Sequence, residues 1–134
     1  VKYHDEWQFA AARRAGDLLF VSGVVAGPRP GEKPTVEAFQ ASLRRAFDAI
    51  GQALRAGGLG FEHVALMNTF HVWNTPHFAG TKQQQFQAML AVKQDYMRAP
   101  HTAWTAVGVT ELLPDTGVVE IQVIAAYPRA AAAQ

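Results

Sequence analysis

Glu120 is the carboxylate best suited to chemistry in this chain, because it shares with Gln122 the most hydrophobic stretch, VVEIQVIAA from Val118 to Ala126. Beside a water and an imine carbon, such a carboxyl can deprotonate the water and return the proton to a departing amine, and burial among apolar neighbours, if the residue is buried, would favour the neutral form that this task needs. The competing reading is a structural carboxylate hydrogen-bonded across an interface between subunits. Ser22 beside Gly23 can offer a hydroxyl and backbone donors to a carbonyl oxygen, since Gly permits close approach. No base lies near Ser22 in sequence, so a serine nucleophile is unsupported, and a plain β-bulge at Gly23 is the simpler alternative. Histidine is the side-chain type whose ordinary range lies near neutrality, which makes His71 and His101 the remaining candidates for proton transfer. His71 lies in an apolar run, where a satisfied core histidine is more usual than a catalytic one, and His101 lies in a loop. Arg98 precedes that loop and reads as an exposed helix-terminal residue. Trp104 is either an aromatic platform for a planar ligand or ordinary interface packing. His71 and His77 lie six apart with no third ligand at a useful spacing, so no metal site is expected. The absence of Cys excludes a thiolate nucleophile, a disulfide framework and a Cys-ligated metal centre.

These residues must be positioned by elements that the hydrophobic pattern reveals. Asp17 to Ala26 (DLLFVSGVVA) reads as a strand buried on both faces, with a bulge or close approach at Gly23. Glu6 to Ala12 would be its hairpin partner, turning at Ala15-Gly16-Asp17. From Val36 to Ala56 the residues Phe39, Leu43, Phe47, Ile50 and Leu54 recur at helical spacing, and Gly57-Gly58 ends the helix. A strand is expected from about Ala65 to Val72, before the turn signal Asn74-Thr75-Pro76. Thr81 and Gln84 fit a capping box that opens a second helix of about 16 residues, with Phe86 and the Met residues in the core. Thr102 to Val109 and Val118 to Ala126 are strands. In the last, Val119, Ile121, Val123 and Ala125 form one face, and Val118, Glu120, Gln122 and Ile124 the other. The order ββαβαββ implies an α+β two-layer sandwich with two helices on one face of the sheet. Two helices leave the other face uncovered, so oligomerisation is implied.

The chain of 134 residues is expected to be a single domain over 1–134, with an Ala-rich tail frayed from about 129 to 134. Twelve Lys and Arg against eleven Asp and Glu leave a net charge of +1, which supplies no field for nucleic acid or an anionic membrane. The apolar runs are far shorter than the roughly 20 residues of a membrane span, and the polar start is no signal peptide. A cytoplasmic protein that binds neither nucleic acid nor membrane is expected.

The blocks GDLLFVSG (Gly16 to Gly23), AFQASLRRAFDAIGQALRAGG (Ala38 to Gly58), TFHV (Thr69 to Val72), WTAVGV (Trp104 to Val109) and VEIQVIA (Val119 to Ala125) resemble the RidA/YjgF/UK114 family, most closely its YjgH-like branch. The resemblance implies a chorismate-mutase-like fold assembled as a homotrimer, with clefts between subunits that take a small-molecule ligand. In typical members the cleft hydrolyses enamine or imine intermediates to a 2-oxo acid and ammonia without a cofactor. Glu120 matches the glutamate that handles the water, and Ser22-Gly23 matches the pair that lines the pocket. The family's carboxylate-binding arginine falls at Thr102, whose neutral hydroxyl cannot reproduce a bidentate guanidinium grip. Phe9 stands where typical members carry an aromatic hydroxyl, and Trp104 where many carry a small Cys. The resemblance therefore implies a cofactor-independent hydrolase or deaminase acting on a small C–N compound other than the usual 2-imino acid, in a drier, more aromatic cleft. His101 or Arg98 could replace the missing cation. A small-metabolite-binding trimer without turnover is the alternative.

Overall fold

The computed structural model describes residues 2–129. In chain order it contains helix α1 (Lys2–Trp7), strands β1 (Ala12–Ala15) and β2 (Leu18–Ala26), helix α2 (Val36–Ala56), a 3-10 turn (Phe61–His63), strand β3 (Val64–His71), helix α3 (Lys82–Lys93), and strands β4 (Ala103–Gly108) and β5 (Val119–Ala126). The expected ββαβαββ order is present, preceded by a short helix. That helix corrects the strand expected from Glu6 to Ala12. The segment through Trp7 has no alternating apolar pattern and carries Asp5 in the helix's first turn, and Gln8 at φ 59° then redirects the chain, so the hairpin partner of β2 begins only at Ala12.

The sheet runs β1-β2-β5-β3-β4, with β3 and β4 parallel and every other neighbour antiparallel. β2 and β3 thus run in the same direction with β5 between them. Helix α2 connects β2 to β3, α3 connects β3 to β4, and the two helices pack against each other and one sheet face. The core forms where the periodicity placed it: Phe39, Leu43, Phe47, Ile50 and Leu54 of α2 are each no more than 1% exposed, against Leu19, Val21, Met67, Ile121, Val123 and Ala125.

The element ends follow local chemistry. Thr35 Oγ1 accepts from the Ala38 N–H at 3.1 Å to cap α2, and at its other end Gly58 takes φ 82° while the Leu59 N–H reaches back to the Leu54 carbonyl at 2.9 Å. The expected capping box of α3 is formed, with Thr81 Oγ1 accepting from the Gln84 N–H at 3.1 Å and Gln84 Oε1 from the Thr81 N–H at 2.8 Å. This helix has 12 residues, not about 16, because the Asp95 and Tyr96 N–H groups bond to carbonyls only three back and tighten the chain out of the α-helix.

Two expectations about faces are corrected. β2 is buried on one face only: Leu19 and Val21 lie under the helices, whereas Leu18 and Phe20 are 38% and 41% exposed on the other side. Val118 does not share the open face with Glu120. It lies before β5, fully buried, where its N–H bonds the Ala26 carbonyl and its own carbonyl accepts from the Val72 N–H, both at 2.8 Å. The expected frayed tail lies outside the described residues beyond Arg129. Among the described residues, no helix is long and apolar enough to cross a membrane.

Candidate functional site

Alternation along β5 turns Glu120, Gln122 and Ile124 away from the helices, onto the open face. In register with Glu120 are Val25 on β2 and Phe70 on β3, so its half-buried carboxylate stands between two apolar side chains. The pairing of β2 with β5 shifts between Val21 and Val24, which is the bulge expected at Gly23. A Cβ at Gly23 would overlap the Glu120 carboxylate, coming 2.7 Å from its Cδ. Gly is required here because the carboxylate occupies the space of the missing side chain.

Ser22, on the same bulge, donates its hydroxyl to the Ala10 carbonyl at 2.5 Å, and its N–H bonds the Ala11 carbonyl at 2.9 Å. The hydroxyl proton therefore holds the segment beginning at Phe9 against β2, and the oxygen's lone pairs are left to accept. Phe9 is 40% exposed beside this anchor. Ser22, Gly23 and Glu120, with Phe9 next to them, thus belong to one cluster.

His71 and Trp104 do not join that cluster. The parallel register pairs Met67 with Trp104, Thr69 with Ala106 and His71 with Gly108, and these residues share the helix-covered face. Gln85 on α3 donates its Nε2 to the Val72 carbonyl at 3.1 Å, leaving its Oε1 toward His71 Nδ1 at 3.0 Å. A carbonyl oxygen only accepts, so Nδ1 carries the hydrogen and neutral Nε2 accepts from Thr69 Oγ1 at 2.7 Å. Thr69 Oγ1 in turn accepts from Trp104 Nε1 at 2.9 Å. The chain Trp104, Thr69, His71, Gln85, Val72 is fully paired, and no buried side-chain polar atom among the described residues lacks a partner. Burial pushes the His71 pKa below the ordinary histidine value; the Gln85 hydrogen bond opposes this, and the Lys82 charge adds to the depression. His71 is the satisfied core histidine weighed in the sequence, and its ring stacks on Trp73 at 4.2 Å and 7°.

Thr102 lies just before β4 and spends its hydroxyl on the Ala103 carbonyl at 3.1 Å. His101 is exposed in the same loop; Arg98 is also exposed, five residues beyond the end of α3 rather than at it. The cation beside Trp104 is Lys93, only 8% exposed, with its Nζ 5.0 Å from the indole centroid. Burial lowers its pKa. Lys93 was not singled out in the sequence; its place at helical spacing among the apolar residues of α3 was the available signal. Phe86, expected in the core, is half-buried and stacked on Trp104 at 5.1 Å, because α3 lies against the edge strand β4, which covers it incompletely. Among the described residues, no group of three or more His, Asp or Glu side chains is arranged to hold a metal ion.

Comparison with known proteins gives a consistent picture. The sequence model described as endoribonuclease L-PSP matches residues 4–127. The RutC family protein YjgH of Escherichia coli K12 is 39% identical over 124 residues, covering 92% of this chain and 86% of that protein. A solved structure of protein YjgH superposes with a TM-score of 0.74 at 34% identity, covering 95% of this chain and 89% of that one. A member of the YjgF/YER057c/UK114 family from Mycobacterium tuberculosis shares the fold at a TM-score of 0.69 and 18% identity, covering 94% of this chain and 92% of that one. The family-wide sequence match, the YjgH relationship and the chorismate-mutase-like fold of these neighbours agree with the five blocks found in the sequence, and the chain belongs to the RidA/YjgF family, also described as endoribonuclease L-PSP.

Proposed function

We propose that the chain is a cofactor-independent hydrolase acting on a small enamine, imine or related C–N compound, in clefts formed between the subunits of a homotrimer. The observation that carries this reading is the Glu120 carboxylate, seated over Gly23 between Val25 and Phe70 on an uncovered sheet face. Glu120 takes a proton from water as the water oxygen bonds to the imine carbon and passes it to the nitrogen, giving the carbinolamine. Glu120 then takes the carbinolamine hydroxyl proton and delivers it to the amine as the C–N bond breaks, so that ammonia leaves and the carbonyl remains.

The inter-subunit arrangement is supported by the separation of the expected residues. Trp104 and Glu120 lie on opposite faces of one sheet, on strands with β3 between them. A second copy presenting its β4 edge to this open face would bring Thr102, Trp104 and His101 opposite Glu120. With the Thr102 hydroxyl committed to Ala103, the cleft has no bidentate partner for a carboxylate there, and the usual 2-imino acids are poor substrates.

The test is ammonia release from a panel of enamines and imines, with 2-iminopropionate included as the slow member. Glu120→Gln keeps the shape but cannot take up the proton, and its rate with the best substrate should fall at least roughly 100-fold while the fold and assembly persist. A folded Glu120→Gln variant as active as the wild type would overturn the assignment. A trimer that binds a metabolite without turnover is the outcome if no compound on the panel releases ammonia.

A further inference from the structure

The hydrogen bonds that join α3 to the edge strand through the core have a fixed sense at both ends. At one end the Trp104 indole N–H can only donate, and at the other the Val72 carbonyl can only accept. Between them Trp104 donates to Thr69 Oγ1 at 2.9 Å, the Thr69 hydroxyl donates to His71 Nε2 at 2.7 Å, the Nδ1–H of His71 donates to Gln85 Oε1 at 3.0 Å, and the Gln85 amide donates to Val72 at 3.1 Å. Every link donates in the same direction, so none can reverse alone. Thr69, His71 and Gln85 are each 0% exposed, and each relies on its neighbours in the line.

The position of the hydrogen on His71 decides what the Thr69 hydroxyl can do. With the hydrogen on Nδ1, bare Nε2 takes the hydroxyl hydrogen and leaves an oxygen lone pair for the indole. With the hydrogen on Nε2, the hydroxyl hydrogen has to turn away, and the other group bonded to that oxygen is a donor that cannot receive it. Gln85 selects the first arrangement, because Val72 holds its amide nitrogen and turns its oxygen toward Nδ1. Neither Gln85 nor His71 is hydrogen-bonded to Trp104 itself. Stacking on Phe86 sets the plane of the indole, and the bond to Thr69 sets which edge is turned inward.

We propose that Gln85 and His71 are positioning residues for the cleft, which through the Thr69 hydroxyl hold the Trp104 indole in the orientation that meets the substrate. The consequence for turnover rests on the proposed inter-subunit site; the coupling from Gln85 to Trp104 does not.

The coupling is tested by nuclear magnetic resonance of the isotopically labelled wild-type protein near neutral pH, without substrate. The His71 ring should carry its hydrogen on Nδ1, and the Trp104 indole N–H should exchange with solvent more slowly than that of exposed Trp7. Gln85→Leu removes the acceptor of Nδ1 and alters no group bonded to Trp104. It should speed exchange of the Trp104 indole N–H at least about tenfold, the scale of one hydrogen bond, while the amides of the α2 core stay protected. Thr69→Ser keeps the hydroxyl and should keep the wild-type exchange. With the best substrate of the ammonia-release panel, Gln85→Leu should raise KM about fivefold, the scale of one aromatic contact, and leave kcat within about twofold. A wild-type His71 ring with its hydrogen on Nε2, a Thr69→Ser protein that loses the slow exchange, or a folded Gln85→Leu protein with unchanged Trp104 exchange would each overturn the coupling; the first two decide it if the leucine variant does not fold. Faster exchange at Trp104 with KM unchanged, or a panel on which nothing reacts, would overturn the role in the cleft and leave the coupling standing.

Discussion

Burying His71 as a neutral ring ties the fold to pH. Its folded-state pKa lies below the value of about 6.5 that it has when unfolded, so between those two values the unfolded chain binds the extra proton. The stability contributed by the neutral ring is therefore present above about pH 6.5 and is lost as pH falls through the folded pKa. Thermal melts between pH 7.5 and 5.5 should show the wild type losing stability on acidification, with a shallower loss in His71→Gln. Equal slopes would mean that the proton on His71 is not coupled to folding. Thr69 bears on the same point, because one hydroxyl serves both Trp104 and His71. Thr69→Val leaves two nitrogens without that partner and should cost about 1–3 kcal/mol in denaturant unfolding; a cost near zero would show that water replaces the hydroxyl.

At the scale of elements, the end of α2 is a separable contribution. Gly58 adopts φ 82°, and a Cβ there would meet no atom within 4 Å, so Gly58→Ala probes conformational strain without a clash. The expected loss is about 1–2 kcal/mol by denaturant titration, and an unchanged midpoint would mean that the helix end relaxes freely. This helix was legible in the sequence down to its five buried apolar residues and its terminal glycines, because a 21-residue element repeats its signal over several turns. The first strand was not legible: β1 has only four residues, ARRA, with no apolar alternation, and its place is set by pairing with β2. The same limit applied to the site. Glu120 and Gly23 could be read because an acidic residue on an apolar strand and a strand glycine are local signals. That His71 and Trp104 fall on the opposite face depends on the parity of their register with β3 and β5, which no single segment reveals.

For the whole molecule, the open face governs behaviour. Leu18, Phe20 and Val107, each 38–41% exposed, surround the polar centre of Glu120, Gln122 and Asn68. An apolar rim of this kind is what a second copy would cover in the proposed trimer. Sedimentation equilibrium should give about three times 14.6 kDa, and Phe20→Glu should yield a folded species of lower mass by setting a charge on the rim. A wild-type chain that remains a monodisperse monomer at micromolar concentration would remove both the assembly and the inter-subunit cleft.

The place of β5 bears on how the protein is made. Chains are synthesised from the N-terminus at about 5–20 residues per second, and the strand at the middle of this sheet is the last one to leave the ribosome. Until residues 119–126 emerge, β2 and β3 have no strand between them, and the apolar stripe of α2 lacks Ile121, Val123 and Ala125 to pack against. Before then, the nascent chain carries an apolar surface that those residues do not yet cover. The complete five-stranded order requires the last strand of the chain to pair on both its edges, with β2 and with β3.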